Sequence, residues 1–107
     1  MSISTQLSGV SHETALRDFQ RIPGIGPSMA DDLWRLGYRS VAELRGEEPE
    51  TMYQRLCELS GGHMDRCVLY VFRCAVYFAS NEAHDPELLK WWSWSDQRMV
   101  GRDQVNP

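Results

Sequence analysis

The chain has 107 residues with ordinary apolar and charged fractions, which fits one globular domain and leaves no room for a second. Its net charge is −4, which argues against a strongly basic nucleic-acid binder, although ten of its eleven bases are Arg, a residue suited to phosphate. A catalytic cleft would compete with the single core for the same few helices, so we expect a protein that is not an enzyme.

The first two predicted helices are joined by a tight turn. Residues 1–10 are small, polar and aperiodic, and we expect them to be flexible. Ser11 is a suitable N-cap for a helix that runs to about Arg21, where a Pro-Gly pair ending at Gly24 stops it. A second helix opens at Pro27, because proline at the first helical position loses only an amide that would lack an intrahelical acceptor.

A short third helix is predicted to connect the two halves of the chain. Gly37 supplies a left-handed stop for the second helix. Ser40 and Glu43 have the spacing of a capping box, and the connector then runs from Val41 to about Arg45.

Two longer helices and a short terminal one follow. The fourth helix begins at Pro49 and ends at Gly61, where a Gly-Gly pair breaks it. The fifth runs from His63 or Met64 to about Ser80 and is apolar on nearly all sides, so we expect it to be the central, most buried helix.

The last predicted helix is rich in tryptophan. Asp85 caps it, Trp91 and Trp92 lie on it, and Trp94 follows just beyond. Because neighbouring residues on a helix point about 100° apart, we expect one tryptophan to pack into the bundle and another to cover its edge or remain exposed.

No segment has the pattern of a membrane span or of a secretion signal. The longest apolar run, Cys67 to Phe78, is interrupted by Arg73 and is too short to cross a bilayer. We therefore expect a cytoplasmic domain over residues 11–95, followed by a flexible tail over residues 96–107.

The cysteines do not indicate disulfides or a metal. Cys57, Cys67 and Cys74 are odd in number and fall within predicted helices. His63 joins the last two on one helical line, yet structural zinc needs four ligands, and the fourth, such as Cys57 or His84, would have to come from elsewhere. We expect small buried thiols, and neither a metal nor a cofactor.

The sequence has two resemblances to known families. The run from Ile22 through Pro23, Gly24, Ile25 and Gly26 to Pro27 resembles the hairpin of helix-hairpin-helix proteins of DNA repair and recombination. Together with 32–37, 70–77 and 89–92, it is similar to a small bacterial family labelled pathogenicity-locus or mitomycin-resistance-protein-like. The resemblance implies an all-α fold, a compact five-helix double helix-hairpin-helix (SAM-like) bundle with a short Trp-rich C-terminal helix.

The hairpin itself has the features of a phosphate site. A sharp reversal between packed helices needs glycines, and the amides that open the second helix lie at the positive end of its dipole. The resemblance implies contact with one DNA backbone phosphate without base reading, and a monovalent cation at the carbonyls of Gln20, Ile22 and Ile25. The candidate nucleic-acid-binding residues are Gly24, Ile25, Gly26, Ser28 and Met29, with Arg17, Arg21 and Arg35.

Other features favour a purely structural hairpin. Asp31 and Asp32 follow it directly and would repel a phosphate chain. Arg39 and the three candidate arginines could flank the loop as a positive collar, but a solvated network of ion pairs explains them equally well. The second hairpin, residues 60–63, lacks the Gly-apolar-Gly pattern.

Two functions therefore remain open. The first is sequence-independent binding of DNA through the first hairpin, which would depend on salt concentration. The second is a protein-interaction or adapter module that presents acidic helices and the tryptophans Trp91, Trp92 and Trp94 to a partner, with a hairpin that only shapes the fold.

Overall fold

The computed structural model describes residues 11–99, and within this range it consists of helices and turns without a strand. The α-helices are α1 (His12–Phe19), α2 (Pro27–Arg35), α3 (Pro49–Leu59) and α4 (Arg66–Ser80), and residues 96–99 are also α-helical. The 3₁₀ helices are η1 (Val41–Leu44), η2 (Pro86–Leu89) and η3 (Trp91–Trp94). The predicted all-α class is confirmed, and each of the five predicted helices appears, the third as η1. The expected flexible N-terminus, residues 1–10, lies outside the described residues.

Local signals set the first two helices. Ser11 caps α1 by accepting a hydrogen bond from the Thr14 amide at 3.1 Å. The helix ends at Phe19, two residues before the predicted end, because the next residues close tighter turns in which the Ile22 amide donates to the Phe19 carbonyl. Pro27 is the first residue of α2, as predicted.

The predicted capping box of η1 is wrong. Ser40 makes no side-chain cap, and Glu43 instead accepts from the Arg39 amide at 2.7 Å. The Val41 amide donates to the carboxylate of Asp18 on α1, also at 2.7 Å. A carboxylate from a distant helix therefore replaces the local cap and ties η1 to α1.

The core is centred on α4, as its apolar pattern predicts. Leu69, Phe72 and Ala75 are fully buried there, and α4 packs against α3, η1 and η3. None of the helices within residues 11–99 is long and apolar enough to cross a membrane. The largest side chains buried on the other elements are Phe19, Ile22, Leu33, Leu44, Met52 and Leu56.

The predicted Trp-rich helix is two 3₁₀ helices separated by Lys90. Asp85 caps η2 through the Glu87 amide, as expected. Lys90 is extended, and the Leu88 carbonyl accepts from the indole nitrogen of Trp94 at 2.8 Å. In a continuous α-helix that carbonyl would accept from the backbone amide four residues later, and here the indole N–H of Trp94 replaces that amide as the donor.

The structured part of the chain extends past residue 95, after which the flexible tail was expected to begin. Asp96 forms ion pairs with Arg66 at 2.8 Å and with Arg73 at 3.0 Å, both on α4. The hydroxyl of Tyr70 also donates to Asp96, at 3.1 Å. The segment after η3 is therefore fastened to the central helix.

Candidate nucleic-acid interface

The first hairpin, residues 20–26, is anchored by two isoleucines. Ile22 and Ile25 are almost completely buried, and the Ile25 amide donates to the Ile22 carbonyl at 3.1 Å. Gly24 between them has φ +90°, a conformation that L-residues rarely adopt. The apolar side chains thus face the core while Gly24 and Gly26 lie at the surface.

The N-terminus of α2 is open to a ligand. Gly26 is the N-cap and has no side chain to accept a hydrogen bond, and Pro27 carries no N–H. The first intrahelical bond runs from the Ala30 amide to the Gly26 carbonyl at 2.9 Å. The amides without an acceptor among the described residues are those of Gly24, Gly26, Ser28 and Met29.

The amide of Ile25 is not free. It already donates to the Ile22 carbonyl within the turn, so Ile25 shapes the hairpin and offers no donor to a ligand. The Ile22 carbonyl that receives this amide keeps one lone pair for another partner. The monovalent cation expected at the carbonyls of Gln20, Ile22 and Ile25 stays a prediction.

The second hairpin differs at the corresponding point. Its helix, α4, is capped by Asp65, whose carboxylate accepts from the Cys67 amide at 2.8 Å. This hydrogen bond lowers the pKa of Asp65, which favours the charged form. A built-in carboxylate therefore occupies the N-terminus of α4, whereas that of α2 is free.

The two aspartates after the hairpin are partnered. Asp31 contacts the ring nitrogen of His12 at 2.8 Å, at the start of α1. Asp32 lies 3.6 Å from the guanidinium of Arg35. Partial burial raises the pKa of Asp32, and the charge of Arg35 opposes this rise. Both carboxylates are thus directed to partners on α1 or further along α2.

Three arginines, of which Arg21 belongs to the first hairpin, line one surface pocket of about 370 Å³. Arg17 has no partner among the described residues, and Arg21 pairs with Asp18 at 2.6 Å. Arg39 stacks its guanidinium 3.6 Å from the ring centre of Trp34. With three cations and one carboxylate, this pocket is locally positive despite the acidic chain.

Arg35 does not line this pocket. Eight helical steps separate it from Pro27, so it sits about 12 Å along α2 from the hairpin end. It also donates to the Leu59 carbonyl at 3.4 Å, at the end of α3. The structure therefore brings Arg17, Arg21 and Arg39 around one pocket that Arg35 does not line.

The tryptophans have three different environments. Trp91 packs on the hairpin, and a Cβ added to Gly24 would lie 3.1 Å from its Cδ1 atom. Trp92 is 50% exposed and meets Trp91 edge to face, with ring centres 5.6 Å apart. Trp94 is partly buried beside Tyr77. The contact between Trp91 and Gly24 has no signal in the sequence, because nothing local links these distant positions.

The cysteines also differ from one another. Only Cys74 is buried, and burial raises the pKa of its thiol to about 11. Cys67 is exposed and Cys57 is intermediate, so the expectation of three buried thiols is correct only for Cys74. Within the part of the chain that the structure describes, no three His, Cys, Asp or Glu side chains are placed to hold a metal ion.

Comparison with known proteins assigns the family. The family model described as "Cdd1: Pathogenicity locus" matches residues 12–99. A relative described as "Mitomycin resistance protein McrB", from Streptomyces lavendulae, is 27% identical over 81 residues, which is 76% of this chain and 73% of the relative. No solved structure gives a significant match. The family resemblance predicted from the sequence is confirmed, and the chain belongs to the Cdd1 pathogenicity-locus family.

Proposed function

We propose that this chain is a non-enzymatic module that binds the phosphate backbone of DNA through its first hairpin. The observation that carries the proposal is the uncapped N-terminus of α2, where four amides lack an acceptor among the described residues. Unpaired donors at the positive end of a helix favour a phosphate group. The amides recognise no base, so the binding is independent of sequence.

The arginine pocket supplies a second contact to the same backbone. Arg17 is the principal candidate because its guanidinium is free among the described residues, while Arg21 and Arg39 already have partners. A guanidinium can bind a phosphate with two parallel hydrogen bonds. Arg17 and the hairpin would then engage separate phosphates of one strand.

The acidic charge of the chain does not oppose this arrangement locally. Residues 1–45 carry five bases and five acids, while residues 46–107 carry six bases and ten acids. Asp32 lies 3.6 Å from Arg35, whose positive charge partly offsets its repulsion of a nearby phosphate, and Asp31 contacts a ring nitrogen of His12 on α1. The name of the relative makes mitomycin resistance a phenotype to measure in a strain that lacks this chain.

The experiment is a fluorescence-anisotropy titration of a labelled oligonucleotide over a salt series. For each phosphate that a basic side chain neutralises, log K falls against log[salt] with a slope of about −0.9 on duplex DNA and about −0.7 on single strands. Arg17→Gln is expected to lower the magnitude of the slope by about one such step. Arg35→Gln removes the same charge at the far end of α2 and is the matched control.

Two results would contradict the proposal. One is the absence of binding by the parent chain even at low ionic strength. The other is an equal loss of slope in Arg35→Gln and Arg17→Gln, because this would show a response to net charge alone. Circular dichroism of each variant establishes that the helices are retained.

A further inference from the structure

We infer that Trp92 is a stacking site for one unpaired nucleobase, next to the phosphate held by the first hairpin. This inference rests on the proposed function and names its substrate class, single-stranded DNA or an unpaired stretch within DNA. It follows from the position of Trp92 beside the hairpin, from its exposure and from the free amides of the hairpin.

The position of Trp92 is set by Trp91. Trp91 packs against the core and on Gly24, so one indole ring separates the hairpin from Trp92. The two rings meet edge to face with an interplanar angle of 86°. In such a pair Trp92 retains at least one ring face that Trp91 does not cover.

The exposure of Trp92 is unusual in this molecule. Among residues 11–99 the large hydrophobic side chains classed as exposed are Trp92 and Leu59, at 50% and 52%. Leu59 lies far from the hairpin, since its carbonyl accepts a hydrogen bond from Arg35 at the C-terminal end of α2. The two therefore do not form one continuous apolar surface.

An exposed aromatic ring next to free amides matches the two parts of a nucleotide. A nucleotide offers a flat π-face and a phosphate, which match Trp92 and the amides of the hairpin respectively. The neighbouring Lys90 is paired with Glu87 at 2.9 Å, so it does not mark the surface as a separate basic site.

The stacking site requires a base that is not paired within a duplex. Bases within a duplex are stacked on their neighbours and have no free face, whereas bases of a single strand can lie on an aromatic side chain. Loss of one such contact lowers affinity by about 5- to 150-fold. Trp92 therefore contributes to the binding of single strands and not to that of fully paired duplexes.

The test compares a labelled oligothymidine with a blunt duplex of the same length, by anisotropy at one low salt concentration. Trp92→Ala is expected to weaken binding of the single strand about 5- to 150-fold and to leave duplex binding unchanged. Trp92→Phe keeps an aromatic face and is expected to retain most of the affinity. Leu59→Ala removes an equally exposed apolar side chain away from the hairpin and is expected to behave as the parent.

A spectroscopic signal separates stacking from a merely structural role. A base stacked on Trp92 is expected to quench part of the tryptophan fluorescence of the parent chain when oligothymidine is added. In Trp92→Phe this part of the quenching disappears although binding persists. Thermal unfolding of each variant shows whether the fold is retained.

The outcomes distinguish the inference from the proposed function. If the parent binds both nucleic acids and Trp92→Ala binds the single strand equally well, the inference is overturned while backbone binding stands. That result would assign Trp92 to another role, such as anchoring a protein. If the parent binds neither nucleic acid, the proposed function and the inference both fall.

Discussion

Gly26→Asp is the substitution that most sharply separates a phosphate-binding hairpin from a structural one. Gly26 has ordinary extended backbone angles, φ −95° and ψ −172°, and a Cβ added there meets no atom within 4 Å. Aspartate is among the preferred N-cap residues and improves on glycine by a few tenths of a kcal/mol. Its charge also interacts favourably with the helix dipole, by about 0.3–1 kcal/mol. The variant is therefore expected to unfold at the same Tm as the parent or a higher one.

The same carboxylate would block the proposed site. It would accept a hydrogen bond from the Ser28 or Met29 amide and place a negative charge where the phosphate binds. Two unit charges about 4 Å apart repel by about 1 kcal/mol in water and by about 4 kcal/mol at an effective dielectric constant of 20. These values correspond to a loss of affinity between about fivefold and about a thousandfold.

The assay pairs anisotropy with thermal unfolding. Gly62→Asp is the matched control, because a Cβ added to Gly62 also meets no atom within 4 Å and the change in net charge is the same. Retained stability with lost DNA binding in Gly26→Asp, and unchanged binding in Gly62→Asp, is the expected pair of results. Full binding by a stably folded Gly26→Asp would refute the reasoning.

Two further predictions concern stability. Gly24→Ala is expected to cost about 1–2 kcal/mol in urea unfolding, because Gly24 has φ +90° and the new Cβ would lie 3.1 Å from Trp91. Gly62→Ala is the control, and an equal loss there would contradict this reason. Partial desolvation acts to raise the pKa of Asp96, but the hydrogen bonds from its partners, Arg73 among them, lower it overall. Its stabilising contribution is therefore present above its unfolded pKa of about 3.9 and is lost as pH falls through the lower folded value. Asp96→Asn is expected to be less stable at pH 7 and to lose less further stability below about pH 4, and an acid transition identical to that of the parent would contradict this.

The starts of α1 and α2 could be predicted because their signals are local. Ser11 accepts from an amide three residues away, and Pro27 needs only its own ring to begin α2. The cap of η1 could not be predicted, since the acceptor for Val41 is Asp18 on another helix. The break in the Trp-rich segment at Lys90 likewise depends on side-chain packing that a helical pattern does not contain.

The candidate site shows the same division between local and distant information. The free amides of the hairpin follow from its glycines and proline, so the sequence alone identifies them. Arg35 is close to the hairpin in the sequence but lies at the other end of α2. Trp91 is distant in the sequence but contacts Gly24, so only the folded chain joins the tryptophans to the hairpin.

The most direct measurement of the central claim is a titration of ¹⁵N-labelled protein with a short single-stranded oligonucleotide, followed by amide chemical shifts. The account predicts that the amides of Gly24, Gly26, Ser28 and Met29 shift first and furthest. The amides of the second hairpin, such as Gly61, are expected to remain in place. Saturating oligonucleotide at low salt that leaves the first hairpin unshifted would contradict the account.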